Sequence, residues 1–283
     1  MRRALVTFVE DHPHLIANSR WLYESWKHVG CHETDLVFMG TEEALSKLPE
    51  DVVKIGQRPT ADDPDWLNYR YVNSVSCLNG EGASLLNDYD RLLRTDVDVF
   101  LTPAWSQYHP TGFTTGRGYY SNDERVRDNI RRIASKFGLE HRGVTHIGST
   151  IYGEPRLIRE ICRLATEVCK YIRTVEFKDD PGAWPSWYAG VSLLYATEIA
   201  VNHLVPCYEA PSMDLDFTST SAEPVDSYPH IHCYHTKEMF SKFQCYAGRY
   251  DDMNEKDLNL GVIRDYCVAM FLRARDRAEA WLA

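Results

Sequence analysis

At 283 residues and 32.6 kDa, with 44% hydrophobic and 12% aromatic residues, the chain can bury a substantial core as one large domain or two closely packed halves. A net charge of −10 and a pI near 5.6 leave no footprint for a polyanion, so neither nucleic acid nor an anionic membrane surface is an expected partner. The eight cysteines form no Cys-x-x-Cys pair and sit largely in apolar periodic segments, which predicts buried, reduced thiols instead of a disulfide scaffold.

In chain order, residues 4–9 read as a short apolar strand, too brief for a signal h-region or a membrane span, so a soluble, cytoplasmic chain is expected. Residues 15–29 carry Leu15, Leu22, Trp26 and Val29 at helical spacing, 35–39 are a strand, Thr41-Glu42-Glu43-Ala44 opens a capped short helix, and 52–55 are the next strand. A polar loop at 58–65 precedes a predicted helix over 66–77, which feeds an apolar strand over 89–101. This alternation predicts a mostly parallel sheet with right-handed crossovers, and ligands of such sheets bind at the carboxyl ends of the strands. Beyond it lie a strand or loop at 113–120, a charged helix at 123–137 ending at Gly138, a strand at 146–152, a long helix at 155–172, and a C-terminal helix over 260–282.

Two acids interrupt the 89–101 strand. In an extended chain, positions i and i+2 share a face, so Asp96 and Asp98 would present both carboxylates on one side at the strand's carboxyl end. Their repulsion and lost hydration make a divalent cation the natural partner. Such triplets also occur by chance at solvated strand ends, but the apolar flanks and the closing Thr102-Pro103 favour a site. Downstream, Pro229-His230-Ile231-His232-Cys233-Tyr234-His235 offers three imidazoles, His230 and His232 on one strand face and His235 on the other or at the strand's end. Asp214 and Asp216 fall in a loop (212–221), the kind of segment that carries function, although two solvated loop acids are as ordinary a reading. Trp184-Pro185-Ser186-Trp187 places two indoles in a turn, where they serve either as core anchors or as sugar-stacking platforms. Arg70 and Ser74 stand one helical turn apart, as an exposed polar pair or as a phosphate contact.

Taken together, Asp96-Val97-Asp98 after a strand, the Gly-Val-aliphatic segment Tyr188-Ala189-Gly190-Val191-Ser192-Leu193-Leu194, and His232-Cys233-Tyr234-His235-Thr236-Lys237 followed by Phe240-Ser241-Lys242 resemble the GT-A glycosyltransferases. Order and approximate spacing are similar to those of the glycogenin-like enzymes and of the plant enzymes that glycosylate hydroxyproline or serine in peptides. His146-Ile147-Gly148-Ser149-Thr150-Ile151-Tyr152-Gly153 is similar to the substrate-lining turn that uncharacterised bacterial, viral and algal relatives carry.

The resemblance implies an α/β GT-A (Rossmann-like) fold, a mostly parallel central sheet flanked by helices with an α+β half on the acceptor side. It implies one domain over 1–283, with 1–103 holding a nucleotide sugar and 104–283 forming the acceptor half and C-terminal helix. The implied activity is metal-dependent transfer of a sugar from a nucleoside-diphosphate sugar, a UDP-sugar first, to a hydroxyl of a glycan, peptide or lipid-linked saccharide. Mn²⁺ or Mg²⁺ would be held by Asp98, by Asp96, which also reaches the ribose, and by a histidine, His232 first and His235 second. Thr7 and Val9 would line the base and ribose, Arg70 and Lys242 would face the phosphates, and Trp184, Trp187, Tyr188 and Ser149 would meet the acceptor. Asp214 or Asp216 would be the general base if the reaction inverts configuration. A nucleotidyltransferase acting on a sugar phosphate would share the sheet and the carboxylates, but the place of its Gly-rich loop after the first strand holds Glu10-Asp11-His12-Pro13-His14. A non-catalytic carbohydrate-binding relative would be free to lose Asp96, Asp98 or the histidines, and this chain keeps them.

Overall fold

In the computed structural model, which describes residues 1–234 and 236–277, the first apolar run forms β1 (Arg3–Val9), buried along its whole length. A strand covered on both faces needs continuous hydrophobicity, which is how Ala4 to Val9 reads. It leads into α1 (Pro13–Val29), where His12 caps the start by accepting the His14 N–H at Nδ1 (3.3 Å) and Pro13 occupies the first turn. Gly30, at φ 62°, ends the helix by donating its N–H to the Trp26 carbonyl. Then come β2 (Thr34–Gly40), α2 (Glu42–Leu45), which Thr41 caps, and β3 (Val53–Gly56), parallel to β2.

The helix expected over 66–77 is instead a series of single 3₁₀ turns on either side of the one-turn α3 (Asn73–Ser76). Leu67 and Asn68 both adopt left-handed conformations (φ 51° and 60°), which interrupts the helical ladder. The long strand expected over 89–101 is likewise divided. β4 (Arg91–Arg94) stops at Thr95, Asp96 to Asp98 form a bend, and β5 (Val99–Leu101) resumes in a different sheet.

The remaining elements are β6 (Thr114–Arg117), α4 (Glu124–Lys136), β7 (Ile147–Gly153), α5 (Pro155–Tyr171), α6 (Ser192–Leu204), β8 (Phe217–Thr218), β9 (His230–His232), α7 (Lys242–Tyr246) and α8 (Ile263–Asp276). The apolar run at 188–194, expected as a strand from its resemblance to the Gly-Val-aliphatic motif, is a 3₁₀ turn entering α6, in which all but Leu194, His203 and Leu204 are buried. A short apolar run has no periodicity with which to separate a buried strand from a buried helix. The C-terminal helix is described as far as Asp276, and the expected extension over 278–282 lies outside the described residues.

The central sheet is mostly parallel, with strand order β3-β2-β1-β4-β7-β6 and β7 antiparallel to β4 and β6. With its flanking helices this is the α/β class expected. A second sheet orders β5-β9-β8. The chain divides into two units. One comprises Met1–Ala4, Gln57–Arg94 and Thr111–Ser212; the other comprises Leu5–Gly56, Thr95–Pro110 and the described residues from Met213 onward. In the first, α5 turns Ile158, Ile161, Cys162, Ala165, Val168 and Cys169 inward at helical spacing. In the second, α1, β5, β9 and α8 enclose Trp21, Phe100, Ile231, Phe240, Tyr266 and Phe271. Six of the eight thiols are buried; Cys31 is half-buried and Cys207 exposed, and all are free. Among the described residues no helix is long and apolar enough to cross a membrane.

Candidate functional site

The bend at Thr95–Asp98 is held by backbone bonds made far along the chain. Thr95 donates its N–H to the Val6 carbonyl of β1 (3.1 Å), and the Asp98 carbonyl accepts the Cys233 N–H (3.0 Å). Val97, between the two acids in the chain, is buried. Antiparallel pairing of β5 with β9 sets Val99 opposite His232, which brings that imidazole beside Asp98.

The result is a cluster of Asp96, Asp98 and His232 whose ligand atoms all lie within 4.8 Å of one another. His232 Nε2 is 3.5 Å from Asp98 Oδ1 and 4.0 Å from Asp96 Oδ2. The side chains are 29%, 10% and 13% exposed for Asp96, Asp98 and His232, so the cluster is partly desolvated yet reachable. Lys242, the first residue of α7, places Nζ on Asp98 Oδ2. On the far side of the ring, His232 Nδ1 lies 3.4 Å from Asp216 Oδ1.

These contacts decide the charges. Burial alone would raise the Asp98 carboxyl, but the Lys242 ammonium and the His232 ring outweigh it and hold Asp98 well below the usual carboxylate range. Burial alone would lower His232; Asp98 and Asp216 overcome that and push the imidazole up to about 10. Lys242 is raised in the same way, against its burial, by Asp98. Two hard carboxylates and one imidazole make a donor set that suits Mn²⁺ or Mg²⁺. An ion there would take the place of the His232 proton in balancing the two carboxylates, because only the neutral imidazole ligates.

His230, on the same strand, is used differently. It is fully buried, its Nδ1 accepts the Asp216 N–H (3.1 Å), and its Nε2 donates to Thr95 Oγ1 (3.0 Å). Burial, supported by the neighbouring His232 charge, pushes it down to about 4 despite Asp216, Asp96 and Asp98. The structure thus gathers His232 into the cluster and commits His230 to tying the 212–218 loop to β9. His235 lies outside the described residues.

The other candidates fall as follows. Thr7 and Val9 are buried in β1, and the Thr7 hydroxyl finds no partner among the described residues. Arg70 is exposed and pairs with Asp62 at 3.4 Å. Asp214 is exposed, whereas Asp216 is buried at φ 58° with its carboxylate turned to the histidines. Trp184 is 53% exposed; Trp187 is buried with both faces covered, by Tyr195 at 4.5 Å and Phe177 at 5.0 Å. Tyr188 and Ser149 are half-buried, and the Ser149 carbonyl accepts from the Arg94 guanidinium. Thr95 and Tyr234, whose hydroxyl donates to the Asp216 carbonyl at 2.6 Å, were not legible as site residues, since nothing in a lone Thr or Tyr marks such a contact.

The chain belongs to the family described as a domain of unknown function, DUF7164, whose model matches residues 1–272. No curated protein sequence matches it. Solved structures that match include the galactosyltransferase LgtC in complex with donor and acceptor sugar analogues, at 11% identity over 69% of each chain and a TM-score of 0.38, a likeness too slight to carry an activity across.

Proposed function

We propose that this chain is a divalent-metal-dependent glycosyltransferase that moves a sugar from a nucleoside diphosphate, a UDP-sugar first, to a hydroxyl acceptor. The observation that carries the reading is the convergence of Asp96, Asp98 and His232, more than 130 positions apart in the sequence, on one cluster. Those are the residues that the motif resemblance to GT-A enzymes marks as the ion's holders. When bound, a divalent ion neutralises the charge that develops on a diphosphate leaving group.

The chain's own groups take these parts in the proposed reaction. Asp98 and His232 hold the ion, and Asp96, the most exposed of the three, reaches the ribose or completes the shell. Lys242 balances Asp98 beforehand and turns to the diphosphate as a second positive charge. Thr7 and Val9 back the nucleoside, and Arg70, now on Asp62, exchanges that carboxylate for a phosphate. Trp184, Tyr188 and Ser149 meet the acceptor, with Trp187 fixing the turn from within. Asp214 is the acid exposed enough to act as a base toward an acceptor hydroxyl, while Asp216 stays with His232.

The test is thermal stability of the chain with UDP-, GDP- and CMP-sugars, with Mn²⁺ or with EDTA. A ligand that binds only the folded state adds about 2.7 kcal/mol at one hundred times its dissociation constant. The expected result is stabilisation by a UDP-sugar only when Mn²⁺ is present, lost in Asp98→Asn. Unchanged nucleotide binding in EDTA, or in Asp98→Asn, overturns the reading.

A further inference from the structure

Asp216 adopts a left-handed backbone, a conformation that Asp and Asn visit more readily than other non-glycine residues. Its φ of 58° is in the left-handed region, its side chain is 2% exposed, and three contacts fix its backbone and neighbours. Its N–H donates to His230 Nδ1 at 3.1 Å, its carbonyl accepts the Tyr234 hydroxyl at 2.6 Å, and the next residue, Phe217, stacks on Tyr228 with ring centres 3.5 Å apart. Parallel pairing then registers Thr218 with His232, two residues further on. The anchoring serves one geometric outcome, a carboxylate oxygen held 3.4 Å from His232 Nδ1.

An imidazole has two nitrogens, and a carboxylate on one dictates what the other offers. In the neutral, ligating form of the ring, a proton held on Nδ1 toward Asp216 leaves Nε2 with its lone pair on the side of Asp98 and Asp96. We infer that Asp216 is a positioning residue for the metal centre, orienting the His232 ring and fixing the tautomer that directs Nε2 to the ion. The inference rests on the metal reading above and assigns Asp216 a place behind the ligand, away from any acceptor hydroxyl. A carboxylate behind a ligating histidine also raises its basicity, and removing such a partner costs about 10- to 100-fold in metal affinity.

The experiment is titration of the full chain with Mn²⁺ by calorimetry in the parent, Asp216→Asn, His232→Ala and the double variant. Asparagine is isosteric and tolerates the left-handed backbone, so Asp216→Asn removes the charge while keeping the loop. The expected result is a loss of affinity of about tenfold or more in Asp216→Asn, and no further loss when Asp216→Asn is added to His232→Ala. Tyr234→Phe, which keeps the carboxylate but loosens its support, should show a smaller loss of the same kind and serves if Asp216→Asn does not fold. Parent-like affinity in Asp216→Asn, alongside lost binding in Asp98→Asn, overturns the inference and leaves the metal reading standing. Losses that simply add in the double variant also overturn it, because Asp216 would then act independently of His232. Absence of Mn²⁺ binding in the parent overturns the metal reading and the inference with it.

Discussion

The unit that contains Leu5–Gly56 gathers two carboxylates and an imidazole into a cluster with partial exposure, while the unit that contains α5 and α6 buries one carboxylate, Glu198, completely. Glu198 accepts from the Tyr120 hydroxyl (2.8 Å), the His146 N–H (3.0 Å) and His141 Nε2 (3.3 Å), three hydrogen bonds aimed at one acid. Asp98 shares its surroundings with a second acid and is balanced by Lys242, whose long side chain can turn to another anion, and by His232, whose proton a bound ion can replace. A buried charge saturated by fixed donors is finished chemistry and holds a fold together. A pair of acids balanced by replaceable cations is poised to accept another cation.

The largest effect should come from the finished site. Glu198→Ala leaves a buried hydroxyl, amide and imidazole without their acceptor, for an expected loss of about 3–5 kcal/mol. For a chain of this size that is a melting temperature lower by roughly 10 °C. Mn²⁺ affinity, read in the same preparation below its melting point, should stay within about twofold of the parent. Lost metal binding with intact stability would break the comparison between the two carboxylate environments.

Much of this was readable from residue order. β1, α1, α4 and α5 declare themselves by an unbroken apolar run or by apolar residues every three or four positions. Asp96, Asp98 and His232 were legible as candidates because acids inside an apolar run and clustered imidazoles are conspicuous. Their meeting is set by long-range bonds, Thr95 to Val6 and Cys233 to Asp98, which no local pattern contains; the same bonds turn the expected strand into a bend. The left-handed Leu67 is equally opaque, since leucine has no preference for that conformation. Asp216 read as a loop acid, and only its contacts with His230 and Tyr234 turn it inward.

A smaller effect sharpens the contrast within β9. His230 has a folded-state pKa of about 4 against about 6.5 unfolded, so the unfolded chain takes up a proton that the folded one refuses. Its contribution is complete above pH 6.5 and is lost as pH falls toward 4, about 3 kcal/mol in all. His232 in the metal-free chain has the opposite sign: its raised pKa contributes stability below 6.5 that fades as pH rises toward 10. Urea unfolding in EDTA across pH 4.5–9.5 should therefore show His230→Gln approaching the parent on the acid limb and His232→Gln approaching it on the alkaline limb. Parallel curves for both variants would show that the two imidazoles share one environment.

The smallest expected effect concerns the two indoles of one turn. Trp187 is enclosed between Tyr195 and Phe177, but Trp184, three residues earlier, leaves 53% of its surface in water. A side chain so exposed contributes little to folding, so Trp184→Ala should change stability by no more than about 0.5 kcal/mol. An exposed indole does, however, offer a π face on which the C–H edges of a sugar ring can rest. A stacked ring contributes about 0.5–1.5 kcal/mol, so binding of a saccharide there should weaken roughly two- to tenfold in Trp184→Ala. The measurement is parent and variant on the same glycan array, with melting curves and Mn²⁺ titrations run alongside. Glycan signals that fall while melting and metal affinity hold steady would place the acceptor against Trp184. A melting temperature several degrees lower, with glycan signals unchanged, would instead make Trp184 a packing residue like Trp187, and the acceptor would have to be sought at Tyr188 and Ser149.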